Sequence, residues 1–550
     1  MRPSAKIISL GLALGLACAL ALLWLWRGSS VEFTTTAPVP GARLRTDATA
    51  IPEALVTRAA DAPNALVDAS LEALQLAIDR GDARAREAVL TFKDDAALRR
   101  FLVRAQNAGL TIIAQEDRLR AVRVRFDAVS GLQNELRQNA ADYAEVAANA
   151  FITLPTAPSK QDRAAVDQVP FGNDTLAFLG ATGDRSAWGR GTTIAILDTG
   201  VALDATFGTS RIRTLDVGLG LAPGGGREDG HGTAVAALAA GSAKDAPGVA
   251  PGAEILSIRV TDATGTSDIF TISKAIVAAV DAGAKVINVS LGGYSTSGVL
   301  DAAIGYAIRQ GAVIVAAAGN DQAAQLAWPA ADPRVVSVGA VDKAEQQVFF
   351  SNSGAQLHLT APGYGVQTAW LDGGRVYVDG TSASAPLVAG AIAAVLSQNP
   401  NLNPQQAADL LGRTANDTGR PGADPAFGRG IMNLGTAMNS GNAGYIDTAV
   451  SSHFYDAANG QMEFVVQNRS GRAVTGLTLN ISADGTTTTT PLPGLAAGET
   501  YVAKVPVSES ALQAAGSLRF TTQLANPFGV VDQVPANNTR SSVLMAPVKK

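Results

Sequence analysis

The segment TTIAILDTGV, residues 192–201, holds an unbroken apolar run that stops at an aspartate followed by Thr-Gly. A half-buried strand would alternate apolar and polar residues; this one does not, so both of its faces are covered. Four more stretches share the character: AEILSIRV (253–260), AKVINVSLG (284–292), AVIVAAAGN (312–320) and RVVSVGAV (334–341), with helical patterns such as Ile269 to Ala282 between them. Buried strands alternating with helices predict an α/β domain with a parallel sheet over 161–440.

Outward from this block the pattern changes twice. Upstream, EAVLTF, DDAALRRFLVRAQNAG, LTIIAQ, RAVRVRF, AVSGLQNELRQNAADYAEV and NAFITL run in the order βαββαβ. This defines a domain over 81–160, with order beginning near Glu87. Residues 28–80, without sustained periodicity and rich in Ala, Thr, Pro and Asp, are expected to be a tether. Downstream of Gly441 the helices stop. MEFVVQN, GLTLNISA, TYVAKVPV and SLRFTTQL, separated by turn residues, predict a small β-sandwich over 441–550.

The N-terminus carries Arg2 and Lys6, then IISLGLALGLACALALLWLW, Ile7 to Trp26, then Arg27. Twenty such residues in a helix reach about 30 Å, the thickness of a bilayer's hydrocarbon core. No small-residue cleavage site follows, and Trp24 and Trp26 fall where an interfacial belt would lie, so residues 1–27 are expected to be an uncleaved anchor, with a cleaved signal as the alternative. The body would then lie outside the cytoplasm, as an envelope protein, or secreted if the chain is cut. Cys18, the one cysteine, sits within this run, so the rest folds without disulfide, cysteine zinc site or thiol nucleophile. With 43 basic against 48 acidic side chains and no like-charge block, no nucleic-acid partner is expected.

Chemistry concentrates at element ends. Asp198 closes its strand at the carboxyl edge of the sheet, where α/β folds place their sites. His231, one of three histidines, opens a helix of small residues and has glycine on either side. Ser382 follows a glycine turn at the start of another helix, where its hydroxyl and N–H lie at the positive end of the helix dipole. Asn320 closes VIVAAAGN. Each has a bland reading taken alone: a turn aspartate, a structural histidine, an N-cap serine. Together they supply a nucleophile, a base, an orienting carboxylate and hydrogen-bond donors for a tetrahedral oxygen.

AILDTGV, DGHGTAVAALAAG, SLGG, AAAGN and GTSASAPLVAG, in this order, resemble the motif set of the subtilisin-like serine peptidases, whose chain order of Asp, His, Ser matches Asp198, His231, Ser382. The resemblance implies a subtilisin-like parallel sheet and a serine endopeptidase acting on polypeptides through an acyl-enzyme, with Asn320 binding the oxyanion. It identifies the βαββαβ domain as similar to a propeptide, an intramolecular inhibitor cut away between about 155 and 175. It also assigns Ser290, Leu291 and Gly292 to one wall of the primary substrate pocket and Ala317, Ala318 and Gly319 to the other. Gly265 and Thr266, within TGTS from Thr264, lie on a facing strand, and Trp328 lies near the base. None of these is charged, so neutral, apolar side chains are expected before the cleaved bond.

Departures from the pattern also matter. Ala234 stands where many relatives have a second histidine, and the loop AAGSAKDAPGVAPGA is short for one that wraps calcium; no cofactor and no metal are expected, and acidic residues elsewhere, such as Asp204 and Asp262, fit solvated surface equally well. Two other readings stay open. A second DTG at Asp417 fits an aspartic peptidase, though without flanking apolar strands. A catalytically inactive, envelope-anchored binding protein on the same fold is the other. The sequence does not fix the oligomeric state.

Overall fold

The computed structural model describes residues 31–33, 63–155, 167–208, 211–218, 220, 227–483 and 485–547. The apolar stretch Ile7–Trp26 and most of the segment expected to be cut lie outside the described residues. The chain divides into two compact units, 44–441 and 442–550, the latter joined by residues 1–43.

In the larger unit seven parallel strands lie in the order Leu359–Pro362, Val336–Val341, Val313–Ala317, Val286–Val289, Thr193–Asp198, Glu254–Arg259 and Ile212–Thr214. The opening strand is central, and its unbroken apolar run has the reason expected for it. Ile194 and Ile196 pack on one face, in the core that holds the helices His231–Ala240 and Thr381–Gln398. Ala195 and Leu197 pack on the other, against Ile269–Asp281 and Gly298–Arg309. The helix Thr381–Gln398 is, among the described residues, the one long and apolar enough to cross a membrane, but 89% of it is buried in this core.

Because every strand is parallel, their carboxyl ends share one edge. Val289 lies opposite Leu197 and Ala316, and Arg259 lies opposite Asp198. Asp198, Ser290, Ala317 and Arg259 are therefore brought to one side of the sheet by register alone.

The βαββαβ order is present as Ala83–Phe92, Asp95–Arg104, Leu110–Glu116, Ala121–Phe126, Val129–Gln138 and Tyr143–Thr153. The tether reading of 28–80 is corrected by a helix at Pro63–Asp79. Its signal is an apolar stripe: Val67, Leu71 and Leu74 are buried and Ile78 packs beside them, at helical spacing, on the same core as Phe92 and Phe101. Asp, Ala and Pro in the surrounding composition masked that stripe. The sheet of this βαββαβ region ends in a strand from the parallel-sheet region, Thr266–Asp268, paired antiparallel with Phe151–Thr153. Buried Asp268 accepts from Thr271 N at 2.8 Å and from Arg84 Nε at 2.5 Å, with Arg123 at 3.3 Å. It thus caps the helix Ile269–Asp281 while pairing two arginines of the βαββαβ region. Glu145 Oε2 accepts from Gly298 N, at 2.6 Å, at the start of a second helix.

The smaller unit is a sandwich. One sheet holds Thr448–Asp456, Gln461–Asn468 and Thr500–Pro506; the other holds Thr539–Met545, Ser517–Ala525, Thr478–Ala483 and Thr486–Pro491, with Val31–Phe33 parallel to Thr539–Met545. Phe464, Leu479, Ile481, Phe520 and Leu524 fill the space between them. The expectation that helices stop here is corrected by a short one, Glu509–Ala515, capped by Ser508.

His453 lies in this core, bonded to Ser542 Oγ through Nδ1 and to Thr522 Oγ1 through Nε2, both at 2.7 Å. Burial and the Arg540 charge hold its pKa down, at about 3. A histidine depressed in the folded state contributes stability above its unfolded pKa of ~6.5 and loses it as pH falls toward the folded value. Between pH 6.5 and 4.5 the loss should approach 2–3 kcal/mol, at about 1.4 kcal/mol per pH unit. Urea midpoints of the C-terminal transition, in the full chain, should fall steeply over this range and flatten in His453→Gln; equal slopes would reject the assignment.

Candidate active site

Asp198 is fully buried, and its Oδ1 accepts from the following residue, Thr199 N, at 2.7 Å. The same carboxylate receives His231 Nδ1 at 2.8 Å on Oδ1 and 3.0 Å on Oδ2. The glycines around the histidine have a definite use. A β-carbon at Gly232 would sit 2.3 Å from Gly200 O, and one at Gly230 would enter the Trp370 indole at 2.2 Å. Only bare backbone lets the aspartate turn and the Trp370 ring pack this closely on the residues flanking His231.

One residue outside the quoted motifs, Arg259, braces this pair together with Thr199 and Asp229. Arg259 donates to Thr199 O and, at 2.9 Å, to Asp229 Oδ1. Thr199 Oγ1 donates to Asp229 O at 3.1 Å and accepts from Gly232 N at 2.9 Å. The turn after Asp198 and the turn before His231 are thereby knitted together. Arg259 was legible only as the end of a strand.

Ser382 is the second residue of Thr381–Gln398 and is 8% exposed. Pro386, inside that helix, has no N–H for the carbonyl four residues earlier. That carbonyl is Ser382 O, and it accepts the Ser290 hydroxyl at 3.2 Å instead. Asn288 Nδ2 donates to Ser290 Oγ at 2.9 Å, extending the chain of contacts back into the sheet.

Asn320 Oδ1 accepts from Thr381 N at 3.0 Å and Thr381 Oγ1 at 2.9 Å, which turns its amide NH2 the other way. Gly380, at φ 141°, lies beside that NH2. A β-carbon there would lie 2.9 Å from Asn320 Nδ2, 3.0 Å from Ser382 Oγ and 3.6 Å from Ser382 N. Ser382 Oγ, Ser382 N and Asn320 Nδ2 are thus clustered around the bare α-carbon of Gly380. Gly319 reaches its own place through backbone contacts: its N–H donates to Thr381 Oγ1 at 3.2 Å and its carbonyl accepts from Asn352 N at 3.0 Å. A β-carbon at Gly319 would collide with Asn352 Nδ2, at 2.3 Å, so Asn352 joins Thr381, Arg259 and Trp370 as site residues that sequence reasoning missed.

Ser290, Leu291 and Gly292 continue from one strand and Ala317, Ala318 and Gly319 from its neighbour. Gly292 exchanges hydrogen bonds of 3.0 Å in both directions with Thr153, and Gly265 O accepts from Leu154 N at 3.2 Å. Thr266 pairs with Thr153 on the other side. Trp328 N donates to Gly293 O at 2.8 Å, beside this track. The second DTG is built differently: Asp417 accepts from Gly422 N within its own turn, and no strand ends on it.

Of the two acidic residues weighed as solvated surface, Asp204 is buried, while Asp262 stays at the surface with its side chain 37% exposed. Asp204 accepts from Thr206 N at 2.7 Å and from Arg375 at 3.2 Å, with its side chain 2% exposed; Asp262 accepts from Thr264 and Thr266. At the short loop, Arg211 donates to the carbonyls of Ala240 and Thr206, each at 2.9 Å. Among the described residues no group of three or more His, Cys, Asp or Glu is arranged to hold a metal.

Comparison with known proteins gives concordant matches. The model of the subtilase family, peptidase S8, matches residues 189–430. Subtilisin Savinase of Lederbergia lenta is 34% identical over 262 residues, 47% of this chain and 94% of that protein. M-protease of Shouchella clausii is 29% identical over 360 residues, 64% of this chain and 90% of that one. Among solved structures, fervidolysin from Fervidobacterium pennivorans, a keratinolytic enzyme related to subtilisin, is similar in fold, with a TM-score of 0.55 and 21% identity over 85% of this chain and 77% of that one.

Proposed function

The chain belongs to the subtilase family of serine peptidases, and on that premise we propose that it is a serine endopeptidase made as a self-inhibited precursor, with Asp198, His231, Ser382 and Asn320 as its working groups. The observation that carries this is the clustering of Ser382 Oγ, Ser382 N and Asn320 Nδ2 around the bare α-carbon of Gly380. In this reading Ser382 Oγ attacks the scissile carbonyl, and the carbonyl oxygen, now negative, settles between the two N–H donors. His231 takes the serine proton at Nε2 and returns it to the leaving amine. Asp198, paired with Nδ1, keeps that nitrogen protonated and supports the imidazolium. Water then repeats the sequence on the acyl-enzyme.

Substrate binds as an added strand between Ser290–Gly292 and Gly265–Thr266, and residues 151–154 now lie along that track. This supports the assignment of 81–160 as an inhibitor domain. The uncharged walls support a preference for apolar side chains before the cleaved bond. The stretch Ile7–Trp26 supports delivery of the body across a membrane and retention there.

The test is covalent labelling. Peptidyl phosphonates carrying Leu or Arg next to phosphorus would be added to residues 28–550 after self-cleavage, and the adduct mapped by peptide mass spectrometry. One phosphonyl group on Ser382, none on Ser382→Ala, and faster labelling by the Leu probe are expected. A membrane-impermeant probe should mark the full chain in spheroplasts. No adduct on Ser382 would sink the peptidase reading, and a faster Arg probe the pocket assignment.

A further inference from the structure

The strand Tyr143–Thr153 outruns its own layer, and its last residues are gripped from both sides. On one side Phe151, Ile152 and Thr153 pair antiparallel with Asp268, Ser267 and Thr266, and Leu154 N extends that edge by donating to Gly265 O at 3.2 Å. On the other, Thr153 and Gly292 exchange both hydrogen bonds, each of 3.0 Å. The fit is close. A β-carbon at Gly265 would meet Leu154 Cδ1 at 2.8 Å, and one at Gly293 would meet Phe151 O at 2.5 Å.

Antiparallel pairing then fixes what comes next. A pair that exchanges both bonds recurs every two residues along the ladder, so Thr153 with Gly292 is followed by residue 155 with residue 290. Residue 155 is proline. It has no N–H for the Ser290 carbonyl, and its ring holds φ near −65°, away from the extended values of a paired strand. Ser290 is also the residue whose hydroxyl reaches Ser382 O. The segment therefore fails to complete its pairing at the position beside the nucleophile.

We propose, building on the peptidase reading above, that Pro155 is a brake on self-cleavage: it occupies the position before the bond presented to Ser382, and its missing donor makes that bond a slow substrate. Cleavage there joins Ser382 Oγ to the Pro155 carbonyl carbon and breaks the C–N bond to the next residue, whose amine leaves with the proton held by His231. Water then frees the Pro155 carboxylate. Phe151 N, Leu154 N and both backbone groups of Thr153 are held, so the segment binds well and reacts poorly. The chain is held latent by its own inhibitor until the brake is bypassed.

The test follows intact mass during incubation of residues 28–550 as parent, Pro155→Ala and Pro155→Leu, each beside its Ser382→Ala counterpart. Both proline replacements should produce a chain beginning immediately after residue 155 at least roughly tenfold faster than the parent, the rate equivalent of one transition-state hydrogen bond gained. The Ser382→Ala chains should stay whole. A parallel sample carries a site for an unrelated protease inserted downstream of Pro155; it is cut open and given casein. If casein is hydrolysed but the proline variants self-cleave at the parent's rate, or elsewhere, the brake is wrong and the peptidase reading stands. If casein survives in every sample, both fall.

Discussion

Asp198→Asn is expected to lower kcat about 10⁴-fold at pH 7, with KM and melting temperature close to the parent's. The reason lies in which hydrogen bonds the carboxylate makes. Its Oδ1 accepts from Thr199 N at 2.7 Å, and its two oxygens share His231 Nδ1 at 2.8 and 3.0 Å. An asparagine must keep its one carbonyl oxygen for Thr199 N, since that amide is buried and has no other role. Its NH2 then faces Nδ1 and donates to it. The imidazole can accept there only with its proton moved to Nε2, and a protonated Nε2 cannot take the proton of Ser382. Nothing in this exchange disturbs packing, because the two side chains share one shape and Arg259 still fixes the surrounding turns. Steady-state kinetics with a peptide substrate, beside a thermal melt, would check it. A loss below about tenfold would mean that Asp198 only shapes a turn, the bland alternative for a DTG sequence.

The sequence disclosed the catalytic unit more fully than the elements around it, and the difference is physical. The strand Thr193–Asp198 is apolar on both faces because helices cover both, so its pattern announces a parallel sheet; residues at strand ends then converge by register, which is why Asp198, Ser290 and Asn320 were legible. Pro63–Asp79 was not. Its stripe of Val67, Leu71 and Leu74 is only one residue wide and sits among alanines and aspartates, so composition suggested a tether. The braces were invisible for another reason. Arg259, Trp370 and Asn352 act across more than 20 residues of sequence on glycines or carbonyl groups, and an interaction with backbone leaves no residue type on the partner side to betray it. Asp204 shows the same limit. An acidic residue in a loop fits solvated surface equally well, whereas this one caps Thr206 and holds Arg375 from another part of the chain.

Asn320→Leu should reduce kcat by roughly 10²–10³-fold and leave KM within a few-fold, the signature of an interaction made only as charge develops on the carbonyl oxygen. Two features of the geometry separate this from a structural role. The Asn320 oxygen is committed to Thr381 N and Thr381 Oγ1, so its NH2 is the group left to face Gly380 and the start of the Ser382 helix. A substrate in its ground state is held by the strand contacts of Ser290–Gly292 and Gly265–Thr266, which the substitution does not touch. Asn320→Asp sharpens the point. It preserves the acceptor that anchors Thr381 and removes the donor, while placing a negative charge where the oxyanion must form. Its kcat should therefore fall at least as far as that of Asn320→Leu, with the helix start still anchored. If Asn320→Asp proved nearly as active as the parent, the anchoring of Thr381 would be what matters. Ser382 N and the helix dipole would then have to stabilise the oxygen without the amide.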